Sequence, residues 1–199
     1  MDRIRQLDSR HIELTAFTLL ILLVNLPLFL GHVPARMILD LNGLMQGQWW
    51  RLVTHPFCHV SPYHLLLDGS AFLMLYESLS LEHTRDRLKV VLFTGIGSLL
   101  GAVMFSDLIA EHGLCGLSGI AHGLMAVVSL EWISDHRKRR QGWVLFLIII
   151  GKTVMECVTG DVMFASMHLG RCGLPIVSCH AGGVTAGLLY GLISKWRRS

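Results

Sequence analysis

A serine between two glycines is the first feature of this chain that could do chemistry. The segment Gly116-Leu117-Ser118-Gly119 begins an apolar run, residues 114–132, that is long enough to cross a membrane. A serine hydroxyl is a weak nucleophile until a base takes its proton, and histidine is the usual base because it titrates near neutral pH. Other apolar runs carry histidines at a similar depth. The segment therefore predicts a serine hydrolase that works inside a bilayer.

Further polar side chains lie within the predicted spans. Such groups are costly in lipid and usually mark a functional site. Measured from the outer end of each span, they fall into two layers one helical turn apart. The outer layer holds His64, Ser118, Glu156 and His180, and the inner layer holds Asp68, His122 and Lys152. We expect His180 to be the base for Ser118, with His122 as the only other close candidate.

The oxyanion that forms during acyl transfer needs hydrogen-bond donors. Ser118 lies near the start of its helix, where backbone N–H groups lack an intrahelical acceptor, and His64 could add a side-chain donor. Asp68 can donate only when it is protonated. Lys152 and Glu156 are four residues apart in one predicted span, so they could simply neutralise each other. As a second possibility, we predict that Lys152 bridges Asp68 and Glu156, which would keep Asp68 ionised and fix the gap beside His64.

Six apolar stretches must position these groups. Of the 199 residues, 52% are hydrophobic and only 16% are charged, whereas a soluble domain has about 25% charged residues. Each stretch is long enough to span a membrane as a helix, and lipid requires helices because it cannot pair open backbone groups. The prediction is an all-α, polytopic membrane protein with a single domain over residues 1–199. Its six predicted spans are residues 14–30, 63–81, 90–106, 114–132, 143–159 and 176–194.

The loop charges predict the orientation of these spans. Thirteen Lys and Arg residues fall at the two chain ends and in one alternate set of loops, whereas the other set holds three. Because cytoplasmic loops are enriched in Lys and Arg, both termini should be cytoplasmic. The first outer loop carries Trp49, Trp50 and Arg51, which suit the headgroup region, so we expect it to be interfacial. The loops that should face outward are residues 31–62, 107–113 and 160–175.

Glycines recur every fourth residue beside the predicted serine and its base. They are Gly119 and Gly123 in span four, and Gly183, Gly187 and Gly191 in span six. Small residues at this spacing let two helix backbones approach closely. We therefore expect spans four and six to pack closely enough for His180 to reach Ser118.

The sequence predicts no metal, no cofactor and no nucleic-acid partner. His55 and His59 are four residues apart, as metal ligands on a helix can be, but Pro56 and Pro62 interrupt the segment and no HExxH motif is present. The five cysteines are odd in number and lack CxxC spacing, which argues against a disulfide framework or a zinc cluster. A net charge of +3, scattered over the loops, does not indicate nucleic-acid binding.

These motifs resemble, in order along the chain, those of the rhomboid family of intramembrane serine proteases. The resemblance implies a six-helix rhomboid-like bundle, with Ser118 as nucleophile and His180 as base. It also implies His64 and the Ser118 amide as oxyanion donors, with Gly116 and Leu117 beside them in the substrate site. The family has asparagine where this chain has Asp68, so direct donation by that residue is not implied. The matching residues are Trp50, Arg51, Thr54, His64, Gly116, Ser118, Gly119, His180, Gly183 and Gly187.

Residues 116–124, Gly-Leu-Ser-Gly-Ile-Ala-His-Gly-Leu, together with Lys152 and Glu156, resemble the rhombosortase subgroup. That resemblance implies a multi-pass enzyme of a bacterial inner membrane whose active site faces the periplasm. Its partners would be exported proteins with a C-terminal tail made of a Gly-Gly motif, an apolar helix and a basic end. Cleavage on the outer side would release the protein, and the acyl group would pass to water or to a lipid-derived amine.

Two other functions fit part of the pattern. A non-catalytic rhomboid-like protein that binds transmembrane helices would be expected to lack the serine or the histidine, whereas Ser118 and His180 are both present. A small transporter would use the polar layers as an ion path, but it would also need polar groups in the cytoplasmic half of its spans, where few occur. An intramembrane protease is therefore the main prediction.

Overall fold

Six long helices form the frame of the part of the chain that the structure describes. The computed structural model of the chain describes residues 2–106, 108–163, 170–173 and 176–196, so part of the predicted outer loop 160–175 lies outside the described residues. Apart from one isolated bridge between Leu39 and Leu114, all regular structure in these residues is helical, which confirms the all-α prediction. The long helices are α1 (Asp2–Val24), α2 (Pro62–Ser78), α3 (Thr84–Phe105), α4 (Ser118–Ser134), α5 (Arg139–Thr159) and α6 (Val177–Trp196).

Three helices in the described part of the chain are long and apolar enough to cross a membrane. They are α3, α5 and the segment Val177–Ser194 of α6. Helices α2 and α4 contain 17 residues each, slightly less than a typical transmembrane helix, and α1 begins with several charged residues. The chain is thus a helical integral membrane protein, and the count of six spans stays a prediction.

A buried ion pair joins α1 and α3 at one end of the bundle. Arg87 is fully buried, and its Nη2 and Nε lie 2.6 and 2.7 Å from the two carboxylate oxygens of Glu13. The hydroxyl of Tyr76 on α2 donates to the same carboxylate. Phe17 packs edge-on against Phe72 and Tyr76, with ring centroids 5.0 and 5.1 Å apart. Polar and apolar contacts therefore hold the first three long helices together.

Helix α6 contacts α4 backbone to backbone. A Cβ atom added at Gly183 would overlap the carbonyl oxygen of Gly119, and one added at Gly187 would overlap that of Gly123. Only glycine allows this separation, because any side chain would push the helices apart. The predicted close packing of the fourth and sixth spans is confirmed.

Helix α6 also contacts α3 closely, a packing that was not predicted from the sequence. A Cβ atom at Gly97 would lie 2.7 Å from the carbonyl oxygen of Gly182, and one at Gly101 would lie 2.8 Å from the Cα of Gly182. Gly97 and Gly101 are four residues apart, the same signal that predicted the contact with α4. Helix α6 is therefore held between two neighbours by glycine contacts.

The first outer loop, residues 31–62, supports the segment that leads into α4. Within it, the buried Arg51 guanidinium pairs with Asp40 at 2.7 Å and donates to the carbonyl oxygen of Ala35 at 3.0 Å. The loop then pairs with the chain before α4 through Leu39 N–H to Leu114 O at 3.0 Å and Leu114 N–H to Leu39 O at 2.8 Å. Its short helices are Ala35–Met37, Leu41–Met45, Arg51–Thr54 and His55–Phe57.

Candidate functional site

A glycine turn presents Ser118 at the first position of α4. The helix begins at Ser118 and not at residue 114, because Gly116 has a φ of +100°, a conformation that favours glycine. The N–H of Gly116 donates to the carbonyl oxygen of His55 at 3.0 Å, so the outer loop holds the turn. A Cβ atom at Gly116 would lie only 2.6 Å from Asp68 Oδ2. The turn leaves the Ser118 N–H without an intrahelical acceptor.

Ser118 and His180 are in direct hydrogen-bonding contact. Ser118 Oγ lies 3.0 Å from His180 Nε2, within the range over which an imidazole can take a hydroxyl proton. Ser118 directly precedes Gly119, and His180 lies three residues before Gly183. The backbones of these two glycines are in contact. The close packing of α4 and α6 therefore brings the predicted nucleophile and base together.

The other ring nitrogen of His180 faces the carboxylate of Glu156 on α5. His180 Nδ1 lies 2.9 Å from Glu156 Oε2, and the Glu156 side chain is fully buried. Glu156 Oε1 accepts the Met163 N–H at 3.1 Å and is paired with Lys152 Nζ. An ionised carboxylate can only accept, so Nδ1 carries a proton, and the neutral form of the ring has its lone pair at Nε2. His180 is held in the tautomer that a base for Ser118 requires.

A second histidine closes this network but cannot act as a base in the same arrangement. His122 Nδ1 lies 2.7 Å from the carbonyl oxygen of Ser118, and its Nε2 lies 2.8 Å from Lys152 Nζ. A carbonyl only accepts and an ammonium only donates, so His122 is neutral, with its proton on Nδ1 and its lone pair occupied. Its ring stacks on His180 at 4.0 Å between centroids. His122 therefore supports the position of the His180 ring.

The predicted oxyanion donors both point at Asp68. Asp68 Oδ2 accepts the Ser118 N–H at 3.0 Å and lies 3.1 Å from His64 Nε2. His59 approaches the same oxygen at 3.7 Å, and its own position is set by Asn25, whose side-chain oxygen accepts the His59 N–H at 2.8 Å. A carboxylate oxygen thus lies between the two groups that would bind an oxyanion.

These side chains line a cavity of about 590 Å³. Apolar walls with a few convergent polar groups are typical of a substrate site. Glu156 is not among the lining residues, whereas Lys152 and His180, which its carboxylate contacts, both line the cavity. The polar lining includes His64, Asp68, Ser118, His122, Lys152 and His180.

The residues present do not favour a metal ion at this site. His122, Glu156 and His180 bring possible ligand atoms within 4.8 Å of one another. However, each of these atoms is already used in a hydrogen bond, and the Lys152 ammonium supplies the positive charge beside Glu156. A cation would have to displace Lys152 and detach His180 from its carboxylate.

The structure corrects two expectations about the site. The predicted bridge from Lys152 to both Asp68 and Glu156 is wrong in its first half, since Lys152 pairs with Glu156 and His122. Leu117 was expected beside the substrate, but its side chain is fully buried in the apolar core. The contact between Glu156 and His180 was missed, although their equal predicted depth was a signal for it.

A comparison with known protein families gives one match. Residues 46–197, more than half of the chain, match the family model for the Rhomboid domain. The matched segment includes all the polar side chains that line the cavity. No curated protein matches the chain.

Proposed function

Because the chain belongs to the rhomboid family, we propose that it is an intramembrane serine protease with Ser118 as nucleophile and His180 as general base. The observation that carries the proposal is the 3.0 Å contact between Ser118 Oγ and His180 Nε2 at the wall of the cavity. Rhomboid proteases act on membrane proteins within the bilayer. The apolar helices of this chain would hold its cavity at that position.

In the proposed reaction, Ser118 Oγ attacks a peptide carbonyl carbon while His180 Nε2 takes the hydroxyl proton. The tetrahedral intermediate collapses when Nε2 gives that proton to the departing amine nitrogen, which leaves an acyl ester on Ser118. Water or an amine then attacks the ester while Nε2 takes a proton from it, and that proton returns to Ser118 Oγ. The Ser118 N–H and His64 would bind the oxyanion once Asp68 has moved away from them.

The proposed substrates are exported proteins with a C-terminal tail made of a Gly-Gly motif, an apolar helix and a basic end. The support is the resemblance of residues 116–124, with Lys152 and Glu156, to the rhombosortases. The proposed location is a bacterial inner membrane, with both termini cytoplasmic and the cavity toward the periplasm. The support for this orientation is the distribution of Lys and Arg among the loops.

The test is cleavage of a reporter with such a tail by the purified protein in proteoliposomes. Ser118→Ala and His180→Ala should each lower kcat by at least about 10³-fold, and the double variant should match either single, because the two groups act as one unit. Ser129→Ala is the matched control, since Ser129 lies on the same helix and donates to the Ala126 carbonyl. Continued cleavage by Ser118→Ala would refute the proposal.

The same experiment tests the substrate class and the acceptor. A reporter with Val-Val in place of Gly-Gly should be cleaved poorly if the motif is recognised. Mass spectrometry of the released C-terminus then separates hydrolysis from transfer, because hydrolysis leaves a free carboxylate and transfer adds the mass of the amine. Equal cleavage of both reporters would contradict the proposed Gly-Gly specificity while leaving the protease proposal intact.

A further inference from the structure

The contacts of Glu156 indicate that this residue does more than neutralise the charge of Lys152. Its two carboxylate oxygens have different partners: Oε1 binds Lys152 and the Met163 N–H, whereas Oε2 faces His180 Nδ1 at 2.9 Å. A group that served only to neutralise Lys152 would not need an oxygen directed at the base. The carboxylate is also fully buried, so its direction is set by these contacts and not by solvent.

The backbone around Glu156 fixes that direction. Helix α5 is capped by Gly160, whose φ is +76° and whose N–H donates to the Glu156 carbonyl oxygen at 2.9 Å. The chain then turns back, so that the Met163 N–H reaches Glu156 Oε1. Lys152, one helical turn away on the same face, holds Oε1 from the other side. Oε2 is left for His180.

We infer that Glu156 is a positioning residue for His180, so that the proposed dyad works as a serine–histidine–glutamate triad. The inference rests on the proposed function of Ser118 and His180. The carboxylate holds the proton on Nδ1, keeps the Nε2 lone pair on Ser118, and stabilises the imidazolium that forms when His180 takes the serine proton.

Lys152 and His122 complete a closed ring of contacts around this triad. The ring runs from Ser118 Oγ through His180, Glu156, Lys152 and His122 back to the carbonyl oxygen of Ser118. Helices α4, α5 and α6 each contribute to it. The position of the base is therefore coupled to the helix that carries the nucleophile.

The test compares Glu156→Gln with the parent and with Glu77→Gln, an exposed carboxylate on α2. We expect kcat on the tail reporter to fall by at least about 100-fold in Glu156→Gln, whereas KM should change by less than about threefold, because Glu156 does not line the cavity. Glu77→Gln should match the parent. Parent-like kcat in Glu156→Gln, with Ser118→Ala inactive, would overturn this inference alone, whereas activity in Ser118→Ala would overturn the proposed function.

A double variant separates positioning from charge neutralisation. If Glu156 served only to neutralise Lys152, then adding Glu156→Gln to Lys152→Met would lower kcat no further than Lys152→Met alone. If Glu156 positions His180, the double variant falls at least about tenfold below Lys152→Met, because a neutral amide stabilises an imidazolium less than a carboxylate does. Equal kcat of Lys152→Met and the double variant would therefore overturn the inference.

A measurement on the parent protein reports the tautomer of His180 directly, and a variant is needed only to assign the signal. With ¹⁵N-labelled histidine, NMR should show His180 protonated at Nδ1, with that proton shifted far downfield by the carboxylate. The signal is assigned by its loss in His180→Asn. A neutral His180 protonated at Nε2 would contradict the proposed triad.

Discussion

Replacing Asp68 by asparagine should increase the rate of cleavage. In the structure, Asp68 Oδ2 lies 3.0 Å from the Ser118 amide nitrogen and 3.1 Å from His64 Nε2. An oxyanion bound by the same two donors would lie where this oxygen lies. A substrate carbonyl must therefore displace Asp68, and the negative charge of the displaced carboxylate would then oppose the charge that develops on the substrate.

Two opposing effects determine the size of this increase. Two unit charges about 4 Å apart at an effective dielectric constant of 20 repel by about 4 kcal/mol, and asparagine removes that repulsion. The substitution also weakens the hydrogen bond that orients His64, which costs about 1.5–3 kcal/mol for a bond to a charged group. The net gain of about 1–2.5 kcal/mol corresponds to a rise in kcat/KM of roughly 5- to 70-fold.

The assay is initial-rate cleavage of the tail reporter in proteoliposomes by the parent, Asp68→Asn and Asp68→Ala. Asp68→Ala removes the charge and also the group that orients His64, so it should lie below Asp68→Asn. The control is Asp86→Asn, which removes one negative charge outside the site, at a carboxylate paired with Lys89. A fall of tenfold or more in Asp68→Asn would refute this reasoning and would mean that the carboxylate itself is required.

Two further predictions concern topology and stability. A reporter fused after Ser199 should be cytoplasmic and one inserted at Glu111 should be periplasmic, and the reverse pattern would place the cavity at the wrong face of the membrane. Arg87→Met should destabilise the protein by about 3–5 kcal/mol, because it strands the buried Glu13 carboxylate. Lys89→Met, which breaks the exposed pair with Asp86, should change stability by less than about 1 kcal/mol in the same thermal unfolding assay in detergent. Equal effects of the two substitutions would show that the Arg87 pair is not a buried structural contact.

Features that depend on position along a helix could be predicted from the sequence. Hydrophobic run length predicted helices at nearly the observed positions, because the thickness of a bilayer requires a minimum number of apolar residues. Depth within the membrane also follows from residue number, so Ser118, Glu156 and His180 were assigned to one layer before any contact was known. The four-residue spacing of Gly119 and Gly123 predicted the close contact with α6 for the same reason.

The start of α4 shows where local sequence was insufficient. The apolar run begins at residue 114, but the helix begins at Ser118, since Gly116 adopts a positive φ and its N–H binds the His55 carbonyl oxygen. That acceptor lies about sixty residues earlier in the chain. Hydropathy does not distinguish an apolar turn from an apolar helix, so only the fold could locate Ser118 at the first helical position.

The partners of each polar group were decided by the tertiary structure. The sequence predicted that Lys152 bridges Glu156 and Asp68. The structure instead pairs Lys152 with Glu156 and His122, and it leaves Asp68 to His64 and the Ser118 amide. Residue number determines how deep a side chain lies but not which neighbouring helix it faces. That direction depends on how each helix is rotated and packed against its neighbours, as the glycine contacts among α3, α4 and α6 illustrate.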